Sequence, residues 1–180
     1  MAASDRGRRY EISTGKAGHF RTDPDRQDIM KGSTLDNIDR KIIRILANDA
    51  RTSVKDIAQA VYLTPPAVSN RIDQLVKKGY LSGFHAVPDP EKLGYPVRAF
   101  INLLVPPKDT QKVYPYLESC PNVTGCYSVT GDFSVLLEVR FRDTAELEGF
   151  VGKLQGFGRT KTVIVLSALV DHREILPPEE

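Results

Sequence analysis

Two carboxamides four residues apart, Asn70 and Gln74, are the side chains in this chain best equipped to read another molecule. Each carries a hydrogen-bond donor and an acceptor on one amide, the combination that meets the N6/N7 edge of adenine in the major groove of DNA. Arg71, beside Asn70, can reach phosphate or guanine. The segment from Pro65 to Lys78 reads as a helix. At 100° per residue its apolar arc holds Val68, Ile72, Leu75 and Val76. The opposite arc holds Pro66, Asn70, Asp73, Gln74 and Lys77, with Ser69 and Arg71 on the flanks. Ser53 and Lys55 open the preceding helix, where free backbone N–H groups suit a phosphate. The candidate DNA-contacting set is therefore Ser53, Lys55, Thr64, Pro66, Ser69, Asn70, Arg71 and Gln74.

Other chemistries lack their residues. There is no Gly-rich phosphate loop and no nucleophile motif. The three histidines, His19, His85 and His172, are far apart and share no ligand spacing, so no metal site is expected. Cys120 and Cys126 read as two small half-buried side chains rather than a disulfide framework. The chain is 41% hydrophobic and 27% charged, the composition of a globular protein. No apolar run approaches the roughly 18 residues of a membrane span. The N-terminus is charged from residue 5 and has no apolar core, unlike a secretory signal. A cytoplasmic protein with no membrane partner is expected. Net charge is only +2, but residues 33–83 carry eight Lys/Arg against five Asp/Glu, and residues 95–180 carry nine against eleven. Phosphate contact is therefore expected of the first segment.

The elements that must position these residues follow from periodicity. Ile38, Ile42, Ile45 and Leu46 form one helical stripe, opened by Asp36 as N-cap with Asp39 three residues on. Val54, Ile57, Ala58 and Val61 form a second, capped by Ser53 with Asp56 in its first turn. Thr64-Pro65 opens the third, and Gly79 ends it. Three short capped helices with a tight connection make a helix-turn-helix unit over residues 33–80, whose last helix enters the groove. Residues 80–87 read as a short strand within a linker spanning 81–94, broken by Pro88, Pro90 and Gly94.

From Tyr95 the period changes to two. Val97, Ala99, Ile101, Leu103 and Val105 alternate with Arg98, Phe100, Asn102 and Leu104. A helix follows with Val113, Leu117 and Cys120 on one face; Pro115 places its expected start near Tyr114. Strands are expected at 122–130 and 133–141 around a tight Gly131-Asp132 turn. A helix capped by Asp143-Thr144 buries Leu147, Phe150, Val151 and Leu154, and a last strand covers 160–169. The order βαββαβ over residues 95–170 is the ferredoxin-like arrangement, which makes the chain α+β. Two helices cover one sheet face, so Phe100, Leu104, Ile164 and Leu166, or their partners, are expected on an open apolar face that pairs with a second copy. Residues 1–32 are polar and aperiodic, and read as a disordered extension or an expression remnant; residues 171–180 form a tail.

The segments LDNIDRKIIRILANDAR (35–51), TPPAVSNRIDQLVKKGYLSGFHA (64–86), VTGDFSVLLEV (129–139) and TVIVL (162–166) resemble, in order, the Lrp/AsnC (feast/famine) family of transcription regulators. The resemblance implies a sequence-specific DNA-binding regulator, not an enzyme. It implies a winged-helix-like DNA-binding domain and a C-terminal domain of the amino-acid-metabolism regulator (RAM) type. It also implies a homodimer that assembles further, often into octamers, on double-stranded DNA with a pseudo-palindromic operator. No cofactor is implied. The implied effector is an amino acid or related metabolite, held near Gly131, Asp132, Phe133 and Ser134. There, backbone N–H groups could take a carboxylate and Asp132 an ammonium. Ser134 stands where many members carry a second acidic residue. The alternatives are a ligand-independent or architectural DNA-binding protein, a protein-interaction module, and an enzyme on a ferredoxin-like scaffold.

Overall fold

The computed structural model describes residues 35–171 and 173–178; the expected extension at 1–32 lies outside them, as does His172. Two hydrophobic cores form, one per unit of the sequence pattern.

The first core belongs to three helices, α1 (Asn37–Asn48), α2 (Val54–Ala60) and α3 (Pro65–Lys77). Ile42, Ile43, Leu46, Ile57, Ala58, Val61, Val68 and Leu75 are buried together. Asp36 caps α1 through the Asp39 N–H at 2.7 Å, as expected. Ser53 caps α2, accepting from the Asp56 N–H at 3.1 Å and donating to Asp56 Oδ2 at 2.6 Å. Thr64 departs from expectation: it starts α3 but makes no side-chain capping bond. Pro65 and Pro66 fill the first two helical positions, where the fixed proline φ suits the start of a helix and the absent N–H groups are ones no helical bond would use.

Both connections end helices in the same way. After α2, Tyr62 takes a left-handed φ of 56°, and Leu63 N–H returns to Ala58 C=O at 2.9 Å. After α3, Gly79 takes φ 77°, and Tyr80 N–H returns to Leu75 C=O at 2.9 Å. These are six-to-one closures of the Schellman type. Glycine suits that position; tyrosine at Tyr62 stands there against its steric preference.

The second core lies under a four-stranded antiparallel sheet. Its elements are β1 (Val97–Leu104), α4 (Thr110–Ser119), β2 (Val123–Ser128), β3 (Val135–Phe141), α5 (Thr144–Gln155) and β4 (Arg159–Ile164). Strand order is β2-β3-β1-β4, the expected ferredoxin-like topology. Ala99, Ile101, Leu103, Val135, Leu137, Val139 and Phe141 point down onto Val113 and Leu117 of α4 and Leu147, Phe150 and Leu154 of α5. Asp143 caps α5 through the Glu146 N–H at 2.8 Å.

Several local expectations are corrected. Residues 81–89 form no strand, because no neighbouring strand among the described residues completes a ladder there. Helix α4 starts at Thr110, after a 3-10 turn at Pro107–Asp109, and contains Pro115. Burial of Val113 and Leu117 on either side of that proline offsets its missing hydrogen bond. The β2–β3 connection is a wider loop, closed by Val129 N–H to Ser134 C=O at 3.1 Å, not a tight turn. Strand β4 stops at Ile164, and Leu166 lies beyond it at 96% exposure. Register also moves one residue across the sheet. Ile164 pairs with Ala99 on the helix-covered side, whereas Val163 pairs with Phe100 on the open side. Val76 is exposed on α3 rather than buried, and Cys126 is exposed on β2. Burial pushes the Cys126 thiol up, helped by Glu118, so it is a poor thiolate source.

Candidate nucleic-acid interface

Helix α3 presents Pro66, Ser69, Asn70, Asp73, Gln74 and Lys77 to solvent, while Val68 and Leu75 on its opposite side are buried. Asn70 and Gln74 lie four residues apart, one above the other on the exposed face. Asp73, on the same face, adds an acceptor of the kind that takes the N4 amino group of cytosine. Thr64 and Lys55 are also exposed. Thr64 makes no capping bond, which leaves its hydroxyl available at the helix start. Ser53 is exposed too, but its hydroxyl proton is already given to Asp56, whose carboxylate would repel a phosphate.

Arg71 does something other than expected. Its Nη1 donates to Asp36 Oδ2 and to Asp39 Oδ1, each at 2.7 Å. The guanidinium is thus turned toward the first turn of α1. Two carboxylates explain the geometry: one satisfies the α1 cap, and both need a counter-charge. Hydrogen bonds from Asp39 and then Asp36 raise the Arg71 pKa further, so the cation is fixed. Burial would push the Asp36 carboxyl up, but the Asp39 N–H and the Arg71 guanidinium outweigh it and hold Asp36 below the ordinary carboxylate value. Arg71 is therefore a positioning residue. It ties α3 to the first turn of α1, while Val68 and Leu75 in the core turn Asn70 and Gln74 outward.

The second set of expected residues lies at one end of the sheet. Gly131 takes φ 111° at the tip of the β2–β3 loop, and Asp132 beside it is exposed. Ser134 anchors the loop: its Oγ accepts from Val105 N–H at 2.9 Å and approaches Leu103 C=O at 3.3 Å, while its own N–H bonds Leu103 C=O at 3.2 Å. Its hydroxyl is thus occupied by the end of β1. Phe133 lies under a cation that sequence reasoning missed: Arg159 Cζ is 5.0 Å from its ring centroid. Arg159 opens β4 opposite Leu104, and Gly158 before it allows that approach, because a Cβ there would overlap the Leu104 carbonyl. Asp132 and Arg159 give this end of the sheet one acid and one base, the complement of a zwitterion. Only the β1–β4 pairing signals Arg159.

The open sheet face carries Phe100, Leu136, Tyr127 and Val163 in register, with Leu104 at its edge. Tyr127 and Val163 are 50% and 49% exposed. Arg98 spans this face, pairing with Glu138 at 2.7 Å and Asp171 at 2.8 Å. Among the described residues there is no cluster of metal-ligating side chains and no helix long and apolar enough to cross a membrane.

Comparison with known proteins agrees with both halves. Residues 35–82 match the model for a winged helix-turn-helix DNA-binding domain, and residues 98–175 match that for the Lrp/AsnC ligand binding domain. The chain is 34% identical over 143 residues to the HTH-type transcriptional regulator FL11 of Pyrococcus horikoshii, covering 78% of this chain and 93% of that one. The structure of AsnC from E. coli superposes with a TM-score of 0.73 at 30% identity, covering 81% of this chain and all of that one. The feast or famine regulatory protein of M. tuberculosis, solved in complex with L-methionine, gives a TM-score of 0.73 at 31% identity, over 80% of this chain and all of its own. An exposed amide-bearing third helix, a βαββαβ ligand domain and these matches converge: the chain belongs to the Lrp/AsnC family of DNA-binding, helix-turn-helix transcription regulators.

Proposed function

We propose that this regulator reads operator DNA through the exposed face of α3 and adjusts that reading to a small metabolite. The observation that carries the reading is the pairing of Asn70 and Gln74 on the solvent side of a helix that Arg71 ties to α1. Asn70, Gln74, Ser69 and Pro66 face base edges, while Lys55 and Thr64 bind phosphate. The apolar open face of the sheet pairs two copies, which presents two recognition helices to a pseudo-palindromic double-stranded site. Further association, as far as an octamer, would extend the wrapped DNA. The work is cytoplasmic, where operators are.

The effector is an amino acid or a close relative, in keeping with the L-methionine found in the M. tuberculosis protein. Asp132 receives its ammonium, and Arg159 with the loop N–H groups receives its carboxylate. Ser134, tied to β1, holds the loop rather than the ligand. A thermal-shift screen of the twenty amino acids tests this, since a ligand specific for the folded state raises the melting temperature. A saturable rise with L-methionine or another amino acid, lost in Asp132→Ala, is expected. No rise with any of them would leave a regulator that works without an effector.

A further inference from the structure

We infer that the cleft between α4 and α5, at the end of the sheet away from the Gly131 loop, is a second small-molecule site that takes an organic monoanion: a carboxylate on an apolar body. The cleft has a volume of about 550 Å³ and is walled by Tyr95, Tyr116, Arg142, Glu146, Phe150 and Lys153. Its floor is aromatic. Phe141 and Phe150 lie 5.3 Å apart between ring centroids, and Tyr116 stacks on Phe150 at 6.5 Å. Its rim is charged. Glu146 accepts the Arg142 backbone N–H at 3.2 Å and lies 3.9 Å from its Nε, and the Arg142 guanidinium sits 5.9 Å from the Tyr95 ring centroid. Glu146 thus neutralises Arg142 and holds it at one rim. Lys153, two turns along α5, faces the same cleft with no carboxylate partner among the described residues. The surplus is one positive charge over an apolar floor.

Gly149 is the second observation. It lies inside α5, where glycine is a weak helix former. Packing does not require it: a Cβ at this position would meet nothing within 4 Å. The residue lines the cleft between Glu146 and Lys153, three and four positions away on the same face of α5, so the missing side chain keeps the space between them clear. A carboxylate on Lys153 with its body over Phe150 and Tyr116 uses each of these features.

The site is distinct from the Gly131–Ser134 loop and does not depend on it. The seven residues of β3 separate the two, about 20 Å of strand. Tyr95 is the first residue after the connector from the helical unit, so an occupied cleft would also fix the point where the chain enters the sheet.

Calorimetric titration of the full chain with phenylpyruvate, and separately with L-phenylalanine, tests the proposal. Phenylpyruvate should bind saturably, once per chain, and more tightly than L-phenylalanine, whose ammonium adds a charge that the surplus cation repels. Lys153→Glu should weaken it at least about tenfold, a loss of roughly 1.4 kcal/mol. Gly149→Leu should abolish it while circular dichroism shows the helix intact, and Asp132→Ala should leave it unchanged. Should Gly149→Leu not fold, Lys153→Glu alone decides. Absence of saturable binding by wild type, equal affinity in the Lys153→Glu protein, loss in Asp132→Ala, or tighter binding of L-phenylalanine than of phenylpyruvate by the Asp132→Ala protein would each overturn the assignment.

Discussion

The Arg71 guanidinium touches two carboxylates of another helix, and Arg71→Ala would leave both without their counter-charge. All three side chains are partly exposed, at 31%, 49% and 20%, so solvent screens the pair. A loss of about 1 kcal/mol is expected for the helical unit. Its pH dependence has a defined sign. Asp36 titrates below the ordinary value of 3.8, so its contribution is complete above that value and is lost as pH falls through the lower folded one. Acid unfolding monitored by circular dichroism should therefore show wild type holding its helices to lower pH than Arg71→Ala; coincident curves would remove the pair from the account. The sequence showed Asn70 and Gln74 on an exposed arc, because the arc needs only helical periodicity. It could not show where Arg71 points. Its partners lie 35 and 32 residues away, and only the packing of α3 on α1 brings them together.

Elements are legible where one face is apolar and the other polar, and less so where pairing decides. The stripe Val135, Leu137, Val139, Phe141 located β3 and its buried face from alternation alone. Residues 80–87 have strand-like composition but no partner strand among the described residues, and composition cannot supply one. In β4 Lys161 suits only the solvent side, but Thr160, Thr162, Val163 and Ile164 are each compatible with either face. Register with β1 assigns Val163 to the open side, and the same register brings Arg159 to the Gly131 loop. Gly158 makes that approach possible. Gly158→Ala should force β4 away from the Leu104 carbonyl, lower the melting temperature of the sheet domain, and weaken effector binding by displacing Arg159. A variant with wild-type melting and ligand response would contradict this placement of β4.

At the scale of the whole molecule, a four-stranded sheet with helices on one side leaves Phe100, Leu136, Tyr127 and Val163 with no helix over them among the described residues. The proposed pairing of two copies uses this face. Val163→Glu places a carboxylate on the open face without disturbing the core beneath, since Val163 is already 49% exposed. Sedimentation should show the variant at a smaller size than wild type, with weaker DNA binding, because two half-sites are no longer engaged together. A variant that sediments as wild type would move the subunit contact elsewhere.

The central claim is that Asn70 and Gln74 read base edges in duplex DNA. Selection of bound genomic fragments by the purified protein, followed by anisotropy titration at several salt concentrations, tests it most directly. The account predicts enrichment of a motif with two-fold symmetry and affinity that falls as salt rises. It also predicts loss of discrimination of about 1 to 3 kcal/mol per contacted base in Asn70→Ala and Gln74→Ala. Indifference of the wild-type protein to fragment sequence at moderate ionic strength, or unaltered sequence preference in both variants, would contradict it.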